Sequence, residues 1–596
     1  MNVWLKNHWQ LVAIWLVCGA ISVYCALLPR EASLLDGIYH FSTYDSFYHA
    51  RLILETLIGF PAIVEFDRYL HPLEGGSWIS VAWGYDYLVA IITQAVLLVL
   101  PQLPVNTLLT HIAPLWSALN CLLVIGICSR LGLERVAIAI AATVFALSPA
   151  MQDTHLVGNI DHHFLELSFI LLVIFSALGW INRPESTARA VLVGLVMGLS
   201  HAIHIGLFVM YLPLAVFLFV AWIQGNPVMQ GKLRVVAVTT LVASLAALAP
   251  SQHFLRLDFA FHYTSWFHVY WSLAFCLCVL FMQRFAYDRR NLALLVLLGA
   301  VLSVPLLDSL VTGTLFVASD LPGFERIEET VSLWRYLFSG EPALYAQLYS
   351  YYSGLLFLVP IALILLARHA FREQRPDRLY FLFAVVLGAV LLFSQLRFKY
   401  HAVYVLAIPM LILVQDAWQA SRQTRWSASL LVLALCFIGP IQALQQTKPL
   451  GGQAAYRALF PFYQAMQNVC GPNPGVLLAH PDEGHYLRYY TNCRIVANNL
   501  LATRRDFEYR AMANDLLQMP LQELLRTHDW VDYIYVRRED GMNPNLTESQ
   551  VRAVNRGLRE DILLTPQPLD VAVLLEFQTD AGPFLRMVQP APAVSD

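Results

Sequence analysis

The sequence predicts a polytopic α-helical membrane protein of about thirteen transmembrane helices, followed by a small α/β domain outside the membrane. Composition, the lengths of the apolar runs and the distribution of Lys and Arg predict it. Of 596 residues, 58% are hydrophobic and only 13% are charged, whereas soluble domains carry about a quarter. The mean hydropathy is +0.56, so most of the chain belongs in lipid.

The first run, Gln10 to Leu28, follows a short stretch carrying Lys6. No A-x-A-like cleavage site follows it, which predicts an uncleaved anchor. Further runs of bilayer length lie near 105–128, 134–150, 164–181, 190–206, 207–224, 235–250, 267–283, 291–310, 351–367, 379–394, 400–416 and 427–446. Trp83 to Leu100 is also apolar, but counting it as a span spoils the charge pattern downstream. Without it, the loops with Arg130 and Arg135, Arg183 and Arg189, Lys232 and Arg234, Arg284 with Arg289 and Arg290, Arg368 to Arg378, and Arg422 with Arg425 all fall on the cytoplasmic side, as the positive-inside rule requires. Trp83 to Leu100 then reads as a partly inserted or interfacial helix.

On the outer side this leaves 30–104, the loop around Asp161, 251–266, the long loop 311–350, the turn holding Arg397, and everything after about 447. Loops this long are usually functional. The sequence thus divides into a transmembrane domain, 1–446, and an extracytoplasmic domain, 447–596. A net charge of −3 lacks the basic excess that nucleic acid would demand. Seven of the nine cysteines lie in apolar runs, where a thiol is a small hydrophobe. Cys470 and Cys493 lie in the polar tail and form a candidate disulfide if that tail faces an oxidising compartment.

The outer face collects ionisable residues. Asp45, in Tyr44-Asp45-Ser46-Phe47-Tyr48-His49-Ala50-Arg51, opens an amphipathic helix and reads either as an N-cap or as a site carboxylate. Gly158-Asn159-Ile160-Asp161-His162-His163 opens a span; its carboxylate and imidazole, two residues apart, suit a divalent cation, Mn²⁺ or Mg²⁺. The alternative is a capping Asp beside interfacial histidines. Glu325-Arg326-Ile327-Glu328-Glu329 reads either as a wet charge run or as a source of one inward carboxylate. In Gln395-Leu396-Arg397-Phe398-Lys399-Tyr400, Arg397 suits a phosphate clamp or a snorkelling interfacial Arg.

In this order the features resemble the catalytic subunit of oligosaccharyltransferases, which are GT-C glycosyltransferases that move a glycan from a polyprenyl phosphate or diphosphate to protein. Asp45 to Arg51 is similar to the family's first-loop motif Asp-x-Tyr-Tyr-His-x-Arg, and Phe60-Pro61, Asp67, Pro72 and Gly75-Gly76 resemble the rest of that loop. Asp161-His162-His163 is similar to the archaeal Asp-x-His form of the second motif. Arg326-Ile327-Glu328-Glu329 is the nearest counterpart of Thr-Ile-x-Glu, with Arg in place of Thr. Arg397-Phe398 matches the family's Arg-Phe. The resemblance implies a metal held by Asp45, Asp161, His163 and Glu329, catalytic roles for Asp45 and Glu329, and donor phosphate at Arg397.

The tail departs from the family. Where the family has Trp-Trp-Asp-Tyr-Gly to read the acceptor's hydroxyl residue, this chain has His480-Pro481-Asp482-Glu483-Gly484, leaving Asp482 as the acceptor-binding candidate. The implied function is protein glycosylation from a lipid-linked donor at the inner (plasma) membrane, with active site and C-terminal domain on the periplasmic side. Loss of the tryptophan pair points to an acceptor other than the Asn-x-Ser/Thr sequon, for example a hydroxyl residue on a pilin or other surface protein. Two further readings stay open: a GT-C enzyme adding sugars to a glycan or lipid, and a transporter of lipid-linked glycans.

Overall fold

The computed structural model describes all residues except 1, 32, 310, 312–330, 341, 417–421, 446–450, 471–473, 501, 502, 540–546, 566–569, 580, 581 and 592–596. They form two compact units. The first comprises Met1–His40, Val81–Leu88 and Val96–Lys448; the second comprises Phe41–Ser80, Val89–Ala95 and Pro449–Asp596. The second therefore takes in Phe41–Ser80 and Val89–Ala95, which the sequence division leaves with 1–446.

In the first unit, nine helices among the described residues are long and apolar enough to cross a membrane: His8–Glu31, Val105–Arg130, His163–Ile181, Ile205–Ile223, Trp266–Arg284, Arg289–Ser309, Leu355–Glu373, Pro376–Ser394 and Leu396–Gln415. The other four expected spans are also helical, but short or broken. Thr187–Ile203, Leu233–Leu248 and the apolar part Trp426–Phe437 run 10–17 residues, and Arg135–Leu147 continues into Pro149–His155 only across a 63° bend. Among the described residues the structure thus supports nine spans, or ten with the bent pair, where the sequence predicts thirteen.

Two local features build the region around Asp161. The bend follows from Pro149, which lacks an N–H and disfavours helical backbone at Ser148. Close packing of Thr187–Ile203 on Leu233–Leu248 follows from Gly194 and Gly198: a Cβ at either would come within 2.8 Å of the Thr240 N or 2.5 Å of its carbonyl O. Small residues at such crossings let helix backbones approach closely.

The second unit carries a five-stranded sheet in the order Arg494–Ile495, Val476–Leu478, Tyr533–Arg537, Gly582–Pro590, Val571–Thr579. The first three are parallel and the last two antiparallel. Leu478, Ile534, Val536 and Val588 pack with Ala513, Leu517 and Leu524 in its core. A capping box between Thr503 and Asp506 starts the covering helix Arg504–Gln518. Cys470 and Cys493 are joined by a disulfide with Cα atoms 5.2 Å apart. From the first-loop segment, the helix Tyr44–Gly59 and the pair Phe66–Asp67 with Ser77–Trp78 pack into the same unit, and Leu70 forms a bridge to Ile495.

Candidate active site

In the first unit, the loop from Leu156 to His162 is held from three sides. Val157 N–H donates to Ala26 O at 3.0 Å, Gly158 N–H to Thr110 O at 2.9 Å, and the Tyr85 hydroxyl to Ile160 O at 2.7 Å. Gly158 takes φ +84°, a left-handed conformation that costs glycine little. The loop delivers Asp161, buried, to the start of the span His163–Ile181. Asp161 does not cap that helix: His162 holds the cap position, without a side-chain capping bond. Instead Asp161 Oδ1 lies 2.8 Å from His162 Nδ1, and Oδ2 lies 3.5 Å from His163 Nε2. Burial pushes the His162 imidazole down to about 4, against the pull of Asp161, so at neutral pH the ring beside that carboxylate is uncharged.

A second carboxylate sits behind this pair. Glu166 Oε2 lies 3.1 Å from His163 Nδ1, and Oε1 lies 3.1 Å from His204 Nδ1. Tyr400 hydrogen-bonds the same carboxylate, and the His204 ring stacks on that of His162 at 4.9 Å. His162, Glu166 and His204 offer ligand atoms within 4.8 Å of one another. The carboxylate–imidazole pair Asp161 and His163, with one oxygen and one nitrogen donor, fits a divalent cation that takes oxygen ligands and tolerates one nitrogen.

Arg397 is half-buried at the start of the 3₁₀ segment Leu396–His401. One residue earlier, Leu396 N–H donates to Val331 O at 3.0 Å, which holds Val331 beside the start of this segment. Glu328 and Glu329 lie outside the described residues. Lys399 pairs with Asp153, which also accepts from the Tyr351 hydroxyl at 3.0 Å.

Asp45 belongs to the second unit. Thr43 caps the helix Tyr44–Gly59 by accepting from Ser46 N–H, so Asp45 is not the cap. Its carboxylate is half-exposed and lies 3.3 Å from Nε2 of the buried His485. The tail motif is heavily paired. Asp482 accepts from Asn499 at 2.7 Å and from Arg510 at 3.3 Å, with His480 Nδ1 at 3.5 Å. Glu483, buried, is met by Arg537 at 2.6 Å and by the hydroxyls of Tyr463 and Tyr535 at 3.1 and 3.4 Å. Burial works against charge on Arg537, but Glu483 holds it above its ordinary range.

Asp161 and His163, which sequence spacing singles out, are brought together. Glu166, His204, Tyr400 and His485 are neighbours that the sequence reading does not single out. Glu166 carries a usable signal, since positions three apart share a helix face; His485 is 440 positions from Asp45 and carries none.

No family model matches the chain. A curated relative, dolichyl-phosphooligosaccharide-protein glycotransferase 3 of Archaeoglobus fulgidus, is 23% identical over 456 residues, which is 68% of this chain and 50% of the relative. The matched region thus spans half that relative's length. Among solved structures, archaeal oligosaccharyltransferase AglB from Archaeoglobus fulgidus, in complex with an inhibitory peptide and a dolichol-phosphate, is 18% identical with TM-score 0.70, covering 90% of this chain and 70% of that one. The Archaeoglobus fulgidus enzyme tethered with an acceptor peptide containing the NVT sequon is 17% identical with TM-score 0.66 over the same shares. Its complex with Zn and sulfate is 15% identical with TM-score 0.62, covering 96% of this chain and 72% of that one. The chain therefore has the fold of the archaeal oligosaccharyltransferases and resembles their catalytic subunit.

Proposed function

We propose that this protein is a membrane glycosyltransferase of oligosaccharyltransferase type, moving a sugar or glycan from a polyprenyl phosphate or diphosphate to a protein on the outer side of the inner membrane. The observation that carries the reading is the facing pair Asp161 Oδ2 and His163 Nε2 at 3.5 Å, on a loop whose motif resembles the family's metal-binding Asp-x-His. Asp161 and His163 would hold Mn²⁺ or Mg²⁺, and the resemblance assigns Asp45 and Glu329 to the same set. Such an ion supplies charge to the donor's phosphate oxygens as the leaving group becomes anionic. Arg397 adds a guanidinium suited to the same phosphate. Asp45 and Glu329 would hold or deprotonate the attacking acceptor, and attack opposite the phosphate inverts the anomeric carbon.

The thirteen-pass count belongs to this reading. The three short helices and the bent pair each align with an expected span, and the positive-inside pattern of the basic loops supports a periplasmic side for Asp161, Arg397 and the C-terminal domain. Names of related proteins that mention dolichol-phosphate and an acceptor peptide support a lipid-linked donor and a protein acceptor.

A second reading keeps the scaffold and donor but transfers sugars to a glycan or lipid. It draws on Asp482, whose carboxylate is engaged by Asn499 and Arg510 and is therefore poorly placed to read a sequon hydroxyl. Transport of lipid-linked glycans is the weakest reading. Mass spectrometry of cells lacking this chain separates them. Loss of glycan from defined proteins, a pilin among the candidates, supports the proposal; intact glycoproteins with a truncated glycan or lipid support the second reading.

A further inference from the structure

Glu166 lies in the first turn of the span His163–Ile181, three residues after His163, so both side chains emerge from one face of the helix. Its side chain is 5% exposed, and a carboxylate this buried is costly unless paired. An ionised carboxylate only accepts hydrogen bonds. The 3.1 Å contact between Glu166 Oε2 and His163 Nδ1 therefore places the imidazole's proton on Nδ1 and leaves Nε2 unprotonated. That nitrogen faces Asp161 Oδ2 at 3.5 Å, beyond the ordinary hydrogen-bond range. The tautomer with a proton on Nε2 would block this face.

We infer that Glu166 is a positioning residue that fixes the tautomer and orientation of His163, so that Nε2 and the Asp161 carboxylate present together as ligands for the divalent cation. The inference rests on the metal-site reading above. Carboxylates behind metal-binding histidines work in this way and raise the basicity of the ligand. Glu166 also serves better as an orienter than as a ligand of a separate site with His162 and His204. Its oxygens are already engaged, Oε2 by His163 and Oε1 by His204, and Tyr400 donates to the same carboxylate.

The test is Mn²⁺ affinity of the purified full chain, followed by electron paramagnetic resonance, in a double-mutant cycle with His163→Asp. A carboxylate at position 163 needs no fixed tautomer. We expect Glu166→Ala to weaken Mn²⁺ binding roughly 10–100-fold in the wild-type background, and to change it by no more than about twofold in the His163→Asp background. Glu166→Gln keeps an acceptor oxygen toward Nδ1 and is expected to fall between wild type and Glu166→Ala; it also serves as the folding control. An equal loss in both backgrounds overturns the inference, as does a second Mn²⁺ per chain that disappears in His204→Ala. If the wild type binds Mn²⁺ and Glu166→Ala binds it as tightly, the inference fails while the metal-site reading stands. If wild type binds none, both fail.

Discussion

Arg488 donates its Nε–H to both carboxylate oxygens of Asp67, at 3.0 and 2.9 Å, with the two side chains 1% and 0% exposed. Its Nη2 meets Glu55 at 2.6 Å, and the Tyr48 hydroxyl reaches Asp67 at 3.3 Å. The guanidinium thus ties the helix Gly484–Tyr490 to the first-loop segment. Burial opposes its charge, yet the two carboxylates hold it above its ordinary range. Removing one partner of a buried pair strands the other charge. Arg488→Met should therefore cost the second unit about 3–5 kcal/mol, read as faster hydrogen exchange across Val476–Leu478 and Tyr533–Arg537. Unchanged exchange would show that the cluster is not a structural tie.

His71 predicts an acid-sensitive step in the same unit. It is buried, stacked on Tyr509 at 4.0 Å, and pushed down to about 4 by burial and then by Arg505. The unfolded chain takes up its proton near pH 6.5, whereas the folded chain resists until about 4, so the stability is whole above 6.5 and falls as pH drops through that window. The loss is on the order of 3 kcal/mol. His71→Phe keeps the stack and should flatten this part of the pH dependence of hydrogen exchange in the second unit.

The disulfide closes a loop of sequence separation 23. Restricting the unfolded chain by such a loop stabilises the folded state by about 3 kcal/mol. Cys470→Ser with Cys493→Ser should weaken protection of the sheet by that amount, and reductant should have the same effect on wild type and none on the double variant.

Arg397→Ala should raise the KM for lipid donor by tenfold or more, on the order of the 1.5–3 kcal/mol of a charge-assisted hydrogen bond, and leave the acceptor KM unchanged. The reverse pattern would place Arg397 on the acceptor side.

How much was legible depended on how local each signal is. Nine spans can be read from run length because one helix carries the whole signal. Thr187–Ile203 is shortened where packing at Gly194 and Gly198 decides its course, and Pro149 breaks the run that reads as 134–150. Asp161 and His163 are legible because two residues carry the motif. The Asp45–His485 and Asp67–Arg488 pairs join residues more than 400 positions apart, and no local pattern encodes them. The engagement of Asp482 by Arg510 likewise depends on tertiary placement.

The most direct test incubates the purified chain with a polyprenyl-phosphate-linked oligosaccharide and two acceptor peptides that share a Ser outside the sequon, one with an Asn-x-Thr sequon and one with Ala at its third position, and reads the products by mass spectrometry. The expected product is glycopeptide that depends on Mn²⁺ or Mg²⁺, is abolished by chelator and by Asp161→Ala or His163→Ala, and forms on a hydroxyl residue without requiring the sequon. Glycosylation of Asn in the sequon peptide alone would overturn the acceptor assignment. Transfer unaffected by chelator and by Asp161→Ala, or glycan passed only to lipid or sugar, would contradict the central claim.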